Sequence, residues 1–291
     1  MATTVSGVFT EFRASLRLTD YEKGIAQGRV RHVHDFFEEK YVCDRPAWVI
    51  GSYGRETLVR QSRDIDMMVA LSRGAYWPRY QDDSRSFLYS IRNALNAEYG
   101  DTQVSTQQVA VRMKLGAGLQ VDLVPVFVRP YQDGFVLPDG RGGWQATNPP
   151  YHDKVVTDTN VALGYDLKPL VRVMKAWNHA NGRHLRSFHL EMIVERMWRD
   201  AVAIPRLPEA VAKTLELASG WVHLPFKDPW SGSGRNLDAY LSSNERDLAM
   251  HLLDEDAIRA RSALDYAASA KTAAAIERWR VVFGSGFPSY G

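Results

Sequence analysis

The stretch GSYGRETLVRQSRDIDMMVAL, residues 51–71, places a Gly-Ser turn ahead of an Asp-Ile-Asp triplet that runs straight into an apolar segment. Side chains alternate faces along a strand, so Asp64 and Asp66 fall on one side, roughly 6.6 Å apart along the backbone, with Ile65 opposite. Both carboxylates can then converge on one cation or a pair. A third acid, Asp122 in Gln120-Val121-Asp122-Leu123-Val124, interrupts another apolar strand. A lone ionised group there is costly unless it is solvated, paired or metal-bound. No run of lysines nearby offers itself as the partner, and carboxylate oxygens suit Mg²⁺ completed by substrate phosphates. A Gly after a buried strand lets backbone approach closely, and the N–H groups that follow, with the Ser52 hydroxyl, form an anion-binding concavity near a helix start. Taken singly, an Asp at a strand entrance is most often a turn former. The conjunction of turn, pair and third carboxylate points instead to displacement at phosphorus on two ions held about 3.5–4 Å apart.

Outward from that stretch, Thr19-Asp20-Tyr21-Glu22 reads as a capping box, and Ile25, Val30, Val33, Phe36 and Phe37 recur at helical spacing up to Tyr41. Asp44-Arg45-Pro46 breaks that helix, and Ala47-Trp48-Val49-Ile50 forms a short buried strand. Residues 53–61 read as a helical turn, 65–71 as a strand, 84–99 as a helix, 106–114 and 119–128 as strands. Residues 131–160 are rich in turn signals: Asp133-Gly134, Pro138-Asp139-Gly140, Gly142-Gly143 and Asn148-Pro149-Pro150. Helical patterns then occupy 167–180, 186–203, 208–219, 237–254 and 257–282. The expectation is an α+β fold: residues 1–160 as a catalytic core with a long N-terminal spine helix, and residues 161–291 as a helical lobe closing a cleft.

The 291 residues, 45% hydrophobic and 24% charged, supply a sizeable core. A net charge of +2 is too slight to imply a nucleic-acid or membrane surface. The one cysteine, Cys43, excludes an internal disulfide framework, and the start MATTVSGVFT lacks the pattern of a secretory signal. No apolar run approaches the roughly 18 residues a spanning helix needs. A cytoplasmic protein is expected, with neither a membrane nor a stable nucleic acid as partner.

From residue 167 to 190 there is no acid, while Lys168, Arg172, Lys175, Arg183 and Arg186 are cationic, and Arg172 and Lys175 share a helix face. That surface suits a triphosphate tail. Other candidates carry less. His152, His184 and His189 lack zinc-ligand spacing, and Ser231-Gly232-Ser233-Gly234 lacks the Lys-Ser/Thr of a Walker loop. Trp144, Asn148 and His152 stand where they could line the mouth of the cleft, and as structural residues they would look the same.

Gly51-Ser52, Asp64-Ile65-Asp66 and Asp122 together resemble the signature of the polymerase-β-type nucleotidyltransferases. The likeness extends to the oligoadenylate synthetase and cyclic GMP-AMP synthase branch and its bacterial relatives, the CD-NTases. Residues 121–127 have that branch's form around the third carboxylate, and residues 167–177 are similar to its helix with a phosphate-binding lysine, here Lys175. Ser187-Phe188-His189-Leu190-Glu191 resembles its next helix start, where the Ser meets triphosphate and the aromatic stacks on a base; Asp228-Pro229-Trp230 resembles a further recurrent element.

The resemblance implies an enzyme that joins ribonucleoside triphosphates, ATP first among them, into a cyclic di- or trinucleotide, releasing pyrophosphate. Asp64, Asp66 and Asp122 would be catalytic and hold two Mg²⁺, with Mn²⁺ as a substitute; Gly51, Ser52, Lys175, Ser187 and Phe188 would bind substrate. The product would act as a diffusible second messenger on an effector in antiphage defence (CBASS), and there is room for a regulatory protein partner. Transfer of one nucleotide onto a separate acceptor, and a catalytically silent nucleotide-binding regulator, are the alternatives.

Overall fold

The computed structural model describes residues 3–62, 64–100, 102–115 and 118–291. Its centre is a mixed sheet, and hydrophobic alternation along its strands decides which face each side chain takes. β2 (Asp64–Leu71) and β5 (Leu119–Val128) lie side by side and parallel. β1 (Cys43–Ile50) flanks β2 antiparallel, while β4 (Val111–Leu115) and then β3 (Gln103–Thr106) continue beyond β5. β6 (Phe135–Pro138) and β7 (Trp144–Thr147) extend from the far end of β5.

Ile65, Met67 and Val69 of β2 and Val121, Leu123 and Phe127 of β5 point to one face, where α2 (Asp20–Lys40) and α5 (Ser84–Glu98) cover them through Val33, Phe37, Phe87 and Ile91. The alternate residues Met68, Ala70, Val124 and Val126 build a smaller apolar patch on the opposite face. Asp64, Asp66 and Asp122 belong to that second face by the same period of two, at the end where the patch stops. α2 starts on the capping box expected at Thr19 and Glu22, both halves of which are present.

A second core joins α7 (Leu167–Ala180), α8 (Ser187–Trp198), α9 (Leu207–His223), α10 (Ser243–Ala268) and α11 (Thr272–Phe283). Unforeseen α1 (Val5–Ser15) enters this core, its Phe9 ring 4.9 Å from Trp279 and 5.1 Å from Phe287. Among the described residues no helix is long and apolar enough to cross a membrane.

Several elements differ from the sequence reading, each for a local reason. Pro46 does not stop the chain from forming a strand, because β1 is an edge strand with register shifts between Cys43 and Trp48, where a missing N–H costs little. The single strand expected over 106–114 is a hairpin, β3 and β4, turned at Gln107, whose N–H donates to the Ala110 oxygen. The helical turn expected over 53–61 is only the short α3 (Gly51–Gly54), and α4 (Arg73–Tyr80) was not foreseen. Asn148-Pro149-Pro150 is a helix start as well as a turn: Asn148 caps α6 (Pro149–Ala162), its side chain accepting from Tyr151 N–H, with proline at the first turn. The helices expected over 237–254 and 257–282 are redistributed: a capping box of Ser242 and Glu245 starts α10 later, and the helix runs on to Ala268.

Candidate active site

The parallel register of β2 and β5 sets Asp66 opposite Asp122 and Asp64 opposite Gln120. All three carboxylates therefore meet at one corner of the sheet. Burial, reinforced by the charge of Asp122, pushes the Asp66 carboxyl up to about 7, with Arg55 and Lys175 pulling the other way. Asp64 is raised as well, first by burial and then by Asp122. Like charges held together in a recessed place are a demand for a cation.

That demand is met in part by a residue the sequence reading passed over. Arg112 lies opposite Asp122 in the β4–β5 register, and its Nε and a terminal nitrogen donate to the two carboxylate oxygens at 2.7 and 2.6 Å. The partner that no run of lysines supplies is thus an arginine on the adjacent strand. The pairing depends on strand register, so the sequence alone does not join Arg112 to Asp122, although its place in an alternating strand is a usable signal. Among the described residues no three His, Cys, Asp or Glu side chains are already arranged as a metal-ligand cluster.

Gly51 closes the corner from β1's side. Its φ is +65°, and a Cβ built there would stand 2.0 Å from an Asp66 carboxylate oxygen. The turn thus presses backbone directly onto the carboxylate, which any side chain would prevent. Gly51, Ser52, Asp66, Lys175, Ser187 and Phe188 line one 470 Å³ cleft between the sheet and α8.

Behind Ser52 the cleft wall is an ion network. Glu191, fully buried, accepts from Arg55 Nε at 2.8 Å, Lys175 Nζ at 2.6 Å and the Thr57 hydroxyl at 2.9 Å. Burial opposes ionisation of Glu191, but Arg55 and Lys175 overcome it and hold its carboxyl down at about 2. Lys175 is 2% exposed, and its ammonium also donates to the Thr57 hydroxyl at 3.0 Å and the Thr57 oxygen at 3.2 Å. Its three donors are thereby engaged, and burial lowers its pKa. The acid-free run in the sequence stops one residue short of this partner.

Arg172 does not share the cleft with Lys175, as their common helix face suggested; it lines a separate cavity with Arg17 and Lys168. Phe188 sits under the Arg55 guanidinium, 5.1 Å from it, and edge-on to His152 at 5.0 Å. His152 Nε2 lies 2.7 Å from Asp228, which also accepts from Trp230 N–H at 2.9 Å. His152 and Asp228 both line the cleft. Trp144 does not: it packs on Trp77, Phe87 and Phe127.

A family model described as the Second Messenger Oligonucleotide or Dinucleotide Synthetase domain matches residues 3–160. The cyclic AMP-AMP-AMP synthase of an Acinetobacter strain is 27% identical over 274 residues, covering 88% of this chain and 76% of that protein. Among solved structures, E. coli MS115-1 CdnC with ATP superposes with a TM-score of 0.79 at 19% identity, covering 97% of this chain and 98% of CdnC. The complex of that CdnC with a HORMA protein lacking its N-terminus gives a TM-score of 0.78 at 20% identity, with the same coverage.

Proposed function

This chain belongs to the Second Messenger Oligonucleotide or Dinucleotide Synthetase family, and from that premise we propose that it joins ribonucleoside triphosphates, ATP among them, into a cyclic di- or trinucleotide, releasing pyrophosphate. It is a nucleotidyltransferase of the CD-NTase type. The observation that carries the reading is the pairing of Asp66 with Asp122 across adjacent strands, with Gly51 backbone pressed on Asp66 at the floor of the cleft.

The residues fit a divalent metal. Asp64 and Asp66 offer oxygen donors whose mutual repulsion a cation relieves, and a cation reaching Asp122 shares that carboxylate with Arg112. We assign Asp64, Asp66 and Asp122 to two Mg²⁺, with Mn²⁺ as a substitute. When bound, such ions neutralise charge on attacking and leaving oxygens of an in-line displacement. Gly51 and Ser52 present backbone and a hydroxyl to the donor phosphates, and Ser187 stands on the facing helix. Lys175 acts from behind Thr57 by its charge and by holding the wall, since its hydrogens are already engaged. Phe188, braced by Arg55 and His152, offers a ring to a base. Asp122 accepts the proton of the attacking ribose hydroxyl, with Arg112 fixing its orientation. Positioning and charge then do most of the work, without a covalent nucleophile.

The likeness to a CdnC seen with a HORMA protein supports a regulatory protein partner for this chain, and the product would reach an effector by diffusion. The test is to incubate the purified protein with labelled nucleoside triphosphates and Mg²⁺ and analyse the products by mass spectrometry. Phosphatase-resistant cyclic oligonucleotides formed with no added acceptor are expected. Strict dependence on a separate acceptor would overturn the cyclase reading.

A further inference from the structure

On the far side of the Gly-Ser turn lies a second cavity, about 530 Å³, between the α1–α2 junction, α3 and the start of α7. Its charged lining is Arg17, Lys23, Lys168 and Arg172 against one acid, Glu56. Two of the cations are already compensated: Lys23 donates to Asp20 at 2.8 Å, and Lys168 reaches the Glu56 carboxylate at 3.1 Å. Arg172 is not. Only 8% exposed, it donates to the main-chain oxygen of Glu56, and its Nε has no hydrogen-bond partner among the described residues. A buried guanidinium with an orphaned donor and no carboxylate on it is a rare arrangement unless an anion completes it. Burial first, and then the charges of Arg17 and Arg13, bring the Arg172 pKa down to about 10.

The cavity shares a wall with the catalytic cleft. Tyr53, Gly54 and Glu56 face this side, while Gly51, Ser52 and Arg55 of the same segment face the other. Glu56 has a φ of +59°, an unfavourable backbone for a residue with a side chain, and both Arg172 and Lys168 hold it there. Whatever settles Arg172 therefore acts on the segment that carries the Gly-Ser turn.

We propose that this cavity is a non-catalytic site for a small phosphorylated ligand, whose phosphate is held by Arg172 and Arg17 and whose occupancy stiffens residues 51–58. A phosphate suits the place because a guanidinium fork matches its oxygens. The volume leaves room for an organic body beside Tyr53 and Tyr165, the aromatic rings in its wall. Binding there does not require the reaction assigned to the cleft.

The experiment titrates inorganic phosphate into the metal-free protein in EDTA and follows binding by ³¹P NMR, with Arg17→Gln separating this cavity from the cleft, whose lining does not include Arg17. Saturable binding is expected. Arg17→Gln, at an exposed position whose change leaves the fold alone, lowers the affinity about tenfold, the worth of one charge-assisted contact. Arg172→Gln abolishes binding if it folds. Hydrogen exchange read in parallel slows at residues 51–58 when phosphate is added. Absence of saturable binding, or equal affinity in Arg17→Gln, overturns the site; binding without slower exchange overturns its coupling to the turn.

Discussion

Two charged clusters meet at the same cleft, one reaching it through Asp66 and the other through Arg55, Lys175 and Glu191, and they are solved in opposite ways. At the sheet corner Asp64 and Asp66 are raised by burial and by the company of Asp122, whereas on the helical wall Glu191 is pulled far down by Arg55 and Lys175. The first cluster stores repulsion and the second has spent its charges on itself. Folding tolerates the first only because the rest of the sheet over-determines it, through Ile65, Met67, Val121 and Leu123 on the opposite face. A region left electrostatically unsatisfied is where a ligand gains most; a region fully paired is where the scaffold gains most.

Three variants break the comparison, in order of effect. Asp64→Asn with Asp66→Asn removes the stored repulsion and the donors together. Turnover falls on the order of 10⁴-fold, about 5 kcal/mol of transition-state stabilisation, while the melting temperature in EDTA stays level or rises. Activity retained in that double variant removes the assignment of these acids. Glu191→Gln does the reverse: it strands Arg55 and Lys175 without a counter-charge and costs about 3–5 kcal/mol in a denaturant titration. A loss below about 1 kcal/mol would mean the network is not closed as described. Gly51→Ala costs about 1–3 kcal/mol, because a methyl must displace an Asp66 oxygen and the backbone sits at positive φ. Its activity falls with it, and a variant of full stability and activity would show that the turn need not touch the carboxylate.

The difference between the clusters also explains what the sequence could reveal. Asp64, Asp66 and Asp122 were legible because a period of two in an apolar strand exposes a misplaced acid without any tertiary knowledge. The capping box of α2 was legible for the same local reason. The Lys175–Glu191–Arg55 network was not, since Arg55 and Glu191 are 136 residues apart and each looks like an ordinary solvated charge. Arg112 falls between, hidden only by the unknown register of β4 on β5. β6, β7 and α6 were hidden by turn residues that serve equally as strand ends and helix caps, as Asn148 shows by capping α6.

The smallest effect sharpens the comparison most, because it isolates one carboxylate. In the metal-free protein Asp66 titrates near 7 against an ordinary value of 3.8, so between those two limits the folded state binds more protons at this group than the unfolded chain does. Stability attributable to Asp66 therefore declines as pH rises from about 4 to about 7 and is level above that. The amide that replaces it in Asp66→Asn does not titrate. The stability of Asp66→Asn relative to the parent protein, read as a difference in urea midpoint in EDTA, should widen across that window and then hold constant. Mg²⁺ should narrow the gap at pH 8 by satisfying the parent's carboxylates, with a smaller change in the variant's own midpoint. Glu191, held low instead of high, has the opposite sign: its stabilisation is complete above about 4.5 and is lost as pH falls from there to about 2, at the acid edge of the same window and below it. A gap between Asp66→Asn and the parent that is flat from about pH 4 to about pH 8 would mean that the corner is already compensated by Arg112, and that the two clusters differ less than their geometry implies.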